Sequence, residues 1–371
     1  MQTLVITSES EWEPWRKPWN ALAKSNPMLS MEWLMPWWRH YGQGHELHII
    51  AVTHDNQLLG VVPSYLYQKR LGNQLRFLGS GVVSSDYMTA MVDPQNAAGV
   101  YAAISDHLRG SVDSGALRGI ESVQWEGISG SDAWTSHLTT FAELGGYSFR
   151  SQSMVHSWSL PLPSSWNGYL EGQRGRSVCR KAKKCVSRVE SGELNVRFLT
   201  GVEGLDEGMK ELIRLHQARR ESIGDDGCFA DPKFDTFLRE AVAGMVVAGK
   251  ASFSLCESAG RVIGVHLLFV GSDTIFMYQS GVDPSYLSLE PGHVIIAANL
   301  REAISNGYQH YDFLRGDEPY KSFWGAQPIP LQRIVLAPPT LKAQAIEAVH
   351  RNLSWLRSYC SDLGTASVAK S

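Results

Sequence analysis

The alternation of apolar and polar positions along this chain plays twice. At Leu58–Val62 and again at Val262–His266 an apolar run follows a polar turn, His54–Gln57 in one case and Ser258–Arg261 in the other, so each marks a β-hairpin. A third strand then ends in the same tripeptide, as FLGSGV at Phe77–Val82 and MYQSGV at Met277–Val282. Helical spacing takes over at Ala97–Leu108 and at Gly292–Ser305, and a strand closes each unit at Ser122–Trp125 and His310–Leu314. The matching segments lie about 200 residues apart in the same order, which predicts one supersecondary unit used twice.

Helical periodicity fills the spaces around these units. Trp12, Trp15, Trp19 and Leu22 form one apolar stripe, and Ser30 is placed to cap a helix carrying Trp33, Leu34, Trp37 and Trp38. Aromatics at this spacing pack in a core more often than they cage a ligand. Further helices are predicted over Ser165–Glu190, Leu205–Ile223 and Phe234–Ala248, the last opened by Asp231-Pro232. A strand at Gln332–Leu336 and a helix at Leu341–Leu356 follow, then a polar tail. The pattern predicts an α/β (α+β) fold of two halves, each a mixed, mostly antiparallel sheet flanked by helices. The run MVHSWSLPLP reads as the crossing strand, giving 1–150, 151–340 and a C-terminal helix and tail at 341–371.

Composition narrows the class. The 371 residues suffice for two domains, and 43% hydrophobic content with 12 Trp and 13 Tyr describes a packed chain. A net charge of −3 gives no general attraction to nucleic acid or anionic membrane. Cys179, Cys185, Cys228, Cys256 and Cys360 lack paired spacing and read as free thiols, not as a disulfide framework or a metal site. The first residues lack a charged, apolar leader, and no run approaches membrane-spanning length, so a cytoplasmic enzyme of bacterial type is expected.

Candidate chemistry concentrates between Met277 and Gly325. A strand over Thr274–Tyr278, a loop, a helix opened by Pro291-Gly292 and ended by Gly307, and a strand over Tyr308–Leu314 would aim a helix N-terminus at the loop, which suits a phosphate. The loop after that strand, Arg315 to Lys321, leaves a carboxyl end where α/β sheets bind ligands. Asp317 or Glu318 is a candidate general base, Tyr320 a proton donor, and Arg315 or Lys321 a holder of phosphate or acidic sugar; a solvated turn is the plain alternative. His216 and Arg219 share a helix face, so acceptor binding and a structural role both stand. His266, mid-strand, is read as packing first and catalysis second. Arg174, Arg176, Arg180, Lys181, Lys183, Lys184 and Arg188 make one basic helix whose other face, Val178, Ala182, Cys185 and Val189, is apolar; it is a solvated face or a polyanion contact.

Three passages carry a family resemblance: LSMEWLMPWWRHYG at Leu29–Gly42, SGVDPSYLSLEPG at Ser280–Gly292 and YDFLRGDEPYKSFWG at Tyr311–Gly325. They resemble the GNAT acetyltransferase superfamily, and more narrowly the CelD-like proteins associated with cellulose and exopolysaccharide biosynthesis, whose fold is related to the FemAB-like aminoacyltransferases. The resemblance implies tandem GNAT-like domains and acetyl-CoA or another acyl-CoA as co-substrate. It places a splay between Thr274–Val282 and His310–Leu314 and a pyrophosphate junction at Ser288–Gly292, with donor contacts at Ser280, Gly281, Val282, Gly292 and His293. His216, Arg219, Arg180 and Lys184 would meet the acceptor or its phosphates. The junction departs from the usual Gln/Arg-x-x-Gly-x-Gly/Ala: only Gly292 aligns, and Glu290 stands where a diphosphate would lie, a carboxylate placed to cap the helix start electrostatically instead. The implied reaction is direct transfer to an amine or hydroxyl of a sugar or polysaccharide precursor, in association with a polysaccharide synthesis complex, because no Cys or Ser lies in an activated-nucleophile motif. Transfer from aminoacyl-tRNA and an inactive scaffold are the alternatives.

Overall fold

The computed structural model describes residues 1–68, 73–113 and 120–345, so most of the expected helix over Leu341–Leu356 falls outside it, as does Cys360. The second half is built on one seven-stranded sheet. Its elements in chain order are β1 (Ser157–Pro161), α1 (Trp166–Gly172), α2 (Ser177–Glu190), β2 (Asn195–Leu199), α3 (Leu205–Glu221), α4 (Pro232–Val247), β3 (Ala251–Ser258), β4 (Arg261–Val270), β5 (Thr274–Val282), α5 (Pro291–Ser305), β6 (His310–Arg315), α6 (Pro319–Phe323) and β7 (Gln327–Ile329). The strand order is β2-β3-β4-β5-β6-β1-β7, and only β5 and β6 run parallel, joined through α5.

Two helices depart from the sequence expectation. Ser165–Glu190 is two helices, because Gly175 adopts φ +79° between them and turns the chain. Ser30 precedes the helix Met31–Tyr41 but gives its hydroxyl to the Pro27 carbonyl, leaving the helix N-terminus without a side-chain cap. By contrast Asp231 accepts from Lys233 N and caps α4, which starts at Pro232.

The first half repeats the strand–helix–parallel strand unit: Asn73–Phe77 pairs parallel with Ile120–Ser129, and the helix Ala97–Asp113 connects them. The strand that leaves its hairpin turn does not stay in one sheet. Gln57–Val62 lies in a four-stranded sheet and Ser64–Tyr67 in a six-stranded one, whereas the matching β4 runs unbroken for 10 residues. Pro63 stands at the break, and a proline has no N–H to give to a continuing ladder. The strand Leu331–Ala337 then returns to the first half, between Ile120–Ser129 and Ser148–Ser153.

One core spans both halves. Trp33 is fully buried and meets Phe237 of α4, Phe269 of β4 and Tyr278 of β5 edge-on, at centroid distances of 4.8–5.2 Å. The aromatic stripe is therefore packing, as its period implied. A polar clasp adds to it. Asp86, with no exposed surface, accepts from Arg315 N at 2.8 Å and pairs with the Arg315 guanidinium at 2.5 Å. Beside it Asp312 accepts from Tyr87 Oη at 2.6 Å, Ser157 Oγ at 3.2 Å and Leu314 N at 2.8 Å, and burial raises its carboxyl to about 6. No described helix is long and apolar enough to cross a membrane.

Candidate functional site

The ladder between β5 and β6 holds only over Thr274–Phe276 and His310–Asp312. Past it, β5 carries a bulge: Leu267 faces Gln279 while Leu268 faces Met277, so Tyr278 is the extra residue. The bend carries β5 away as β6 continues beside β1. The strands part where the sequence resemblance places a splay.

A cavity of about 590 Å³ occupies that opening. Met277, Val282, Pro291, Gly292, His293 and Ile296 line it on the α5 face of the sheet; His216, Arg219, Arg220, Ile223, Gln279 and Gly281 line it on the α3 face. Val282 Cγ1 lies against Gly292, and a Cβ on Gly281 would stand 2.5 Å from His216 N, which fixes the two faces. The cavity thus passes through the sheet. Gly281 must be glycine for a steric reason, since the obstruction is helix backbone. Gly281→Ala is expected to lower stability by about 1–3 kcal/mol, read as a drop in the urea midpoint at constant slope; an unchanged midpoint would show that α3 can lift off β5.

His216 is 3% exposed and donates from Nδ1 to the Ser280 carbonyl at 3.1 Å, because a carbonyl can only accept. That leaves the Nε2 lone pair 3.3 Å from Cys228 Sγ. Burial holds the imidazole below its ordinary pKa, so it is neutral near pH 7. His266, opposite Ser280 on β4, is pushed down to about 3 by burial and takes an Asn299 Nδ2 contact at 3.3 Å. Tyr320 lines the far wall; burial first, then the charge of Glu318, raises its phenol and keeps it protonated. His293 accepts at Nδ1 from Trp324 Nε1 at 3.1 Å.

Of the residues singled out from sequence, Ser280, Gly281, Val282, Gly292, His293, His216, Arg219, His266, Glu290, Glu318 and Tyr320 meet on this one cavity. Asp317, Arg315, Lys321, Arg180 and Lys184 are not part of its lining. Asp317 takes Trp158 Nε1 at 3.0 Å and His156 at 3.3 Å. Arg315 is held by Asp86, and Lys321, 2% exposed, donates to the Leu314 and Arg315 carbonyls and pairs with Glu318, so both cations are spent inside the fold. Glu290 does not cap α5: its backbone is left-handed at φ +54°, and its carboxylate pairs with Lys181 and, at 3.6 Å, with Lys184. Those ion pairs hold its carboxyl below the usual range. Arg188 donates to the Leu289 carbonyl at 2.6 Å, so α2 is bolted to the junction. Arg180 stays exposed. Sequence reading passed over Gln279, Met277, Ile296, Arg220 and the partner of His216, Cys228; a bulge that turns Gln279 inward leaves no mark in residue type.

Residues 173–322 match the acetyltransferase (GNAT) domain family, and this part of the chain is a GNAT acetyltransferase-type domain. No curated protein matches the chain. Among solved structures, FemX is similar with a TM-score of 0.64 and 12% identity, over 90% of this chain and 97% of FemX. A conserved protein of unknown function from Bacteroides thetaiotaomicron VPI-5482 gives 0.57 and 9% identity, over 90% and 100%. The C-terminal domain of a lysylphosphatidylglycerol synthetase from Agrobacterium fabrum gives 0.53 and 9%, over 90% and 95%. At these identities the likeness is one of fold.

Proposed function

We propose that this protein is an acyltransferase that moves an acetyl or longer acyl group from an acyl-CoA to an amine or hydroxyl of a sugar or polysaccharide precursor. The observation that supports the reading is the cavity running through the sheet between β5 and β6. A donor laid along the α5 face can present its thioester on the α3 face, where an acceptor approaches from the other side; holding both in line supplies much of the catalysis. Tyr320, kept protonated, gives its proton to the departing thiolate. Asp317 is turned away from the cavity and Glu318 is paired with Lys321, so the proton acceptor in this reading is His216, whose Nε2 lone pair is free of the backbone contact. Activity is then expected to fall as pH drops through the His216 pKa, below its ordinary 6.5. A profile that stays flat from pH 6.5 down to the acid limit of folding would remove His216 from the role.

One observation favours a second donor. The Glu290–Lys181 pair covers the junction where a diphosphate would sit, and an aminoacyl ester at an RNA end carries none. Release of free thiol from acetyl-CoA on adding amino-sugar or sugar acceptors separates the two. Acceptor-dependent release is expected; none with any acyl-CoA, alongside transfer from aminoacyl-tRNA, would shift the donor to the second class.

A further inference from the structure

Cys228, His216, Ser280 and Gln279 form a constellation beside the α3 end of the cavity, and of these the direct-transfer scheme uses His216 alone. Cys228 Sγ lies 3.3 Å from His216 Nε2, and Gln279 Nε2 lies 3.7 Å from the same sulfur. The Ser280 carbonyl, 3.1 Å from His216 Nδ1, locks the imidazole in the tautomer whose lone pair faces the thiol. A nucleophile, a base, a group orienting the base and an amide donor beside the sulfur are the parts that covalent acyl transfer requires. His216 and Gln279 both line the cavity. The Cys228 thiol is pushed up to about 11 by burial, so it rests protonated and gains nucleophilicity only as His216 takes its proton.

We infer that Cys228 is an acyl relay: it receives the acyl group from the donor thioester and passes it to the acceptor. The inference rests on the acyl-CoA reading above. In the first half-reaction Sγ bonds to the acyl carbon, the carbon–sulfur bond to CoA breaks, His216 Nε2 takes the thiol proton and Tyr320 protonates the leaving thiolate. The Gln279 amide hydrogen-bonds the carbonyl oxygen while it carries charge. In the second half-reaction the acceptor nitrogen or oxygen bonds to the same carbon. The Cys228 sulfur leaves and recovers its proton from His216, and the acceptor's proton restores the Tyr320 phenol. The product is acylated acceptor and free CoA, with no other reactant.

The test is to mix the wild-type protein with acetyl-CoA in the absence of acceptor, quench in acid, and measure intact mass and peptide masses. The expected result is a gain of one acetyl group on the peptide holding Cys228, removed by hydroxylamine or by acceptor, with a matching burst of free CoA. Cys228→Ala and Cys228→Ser should both lose the adduct and fall at least 100-fold in kcat, a fall of the size general-base and nucleophile losses give, while CoA still binds. Wild-type turnover in either variant, with no adduct in the wild type and intersecting initial-rate lines, would overturn the relay and leave direct transfer standing. Absence of acetyl-CoA binding and of turnover in the wild type would overturn the acyl-CoA reading and the relay with it.

Discussion

Asp86→Ala is expected to destabilise the fold by about 3–5 kcal/mol, the range for removing one partner of a buried ion pair. The side chain has no exposed surface and meets Arg315 at both its backbone N–H and its guanidinium, so its loss leaves a cation without a counter-charge against the core. The effect should reach beyond two residues. Arg315 ends β6, Leu314 beside it holds a left-handed φ of +56°, and the Asp312 carboxylate that takes Leu314 N also takes Ser157 and Tyr87. Such a conformation persists only where its surroundings over-determine it. Urea unfolding measures the loss. Asp86→Ala combined with Arg315→Met should recover part of it, because the unpaired charge is then gone; additive losses would show that the clasp acts through shape and not through charge.

Tyr320→Phe is expected to reduce kcat by roughly 100-fold or more, the lower end of what a positioned general acid contributes, with little change in KM. The phenol sits in the cavity wall at the opening between β5 and β6, where a thiolate would depart, and its burial keeps the proton in place. Its ring packs on Phe313 at 5.9 Å, a contact that phenylalanine retains. Thermal stability should therefore stay near wild type. A change confined to KM would make Tyr320 a binding group, and an unchanged kcat would require another proton source.

Much of this was legible in the chain. The doubled hairpin-and-helix pattern gave the architecture, and the strand-to-helix junction after Ser280 led to the cavity, because periodicity and glycine or proline punctuation are local properties. What escaped were properties of register and pairing. Nothing in Leu58–Tyr67 announces that Pro63 divides a strand between two sheets while its counterpart in β4 stays whole. The Arg315–Lys321 loop has the composition of a site, yet Asp86, more than 200 residues earlier, claims its arginine. Glu290 and Lys181 looked like a misplaced carboxylate and a solvated cation, and each explains the other. His216 and Cys228 stand 12 residues apart with no motif between them, and only the turn after α3 folds the thiol onto the ring.

The central claim is that the opening between β5 and β6 holds an acyl-CoA. Calorimetric titration of acetyl-CoA into the wild-type protein and into Gly292→Trp tests it most directly. Gly292 lines the cavity, and a Cβ there would meet Val282 Cγ1 at 3.6 Å, an ordinary van der Waals contact, so an indole at this position is set to fill the cavity from a backbone that needs no shift. The account predicts one site per chain in the wild type and its loss in Gly292→Trp at unchanged melting temperature. Equal binding by both proteins, or by neither, would contradict it.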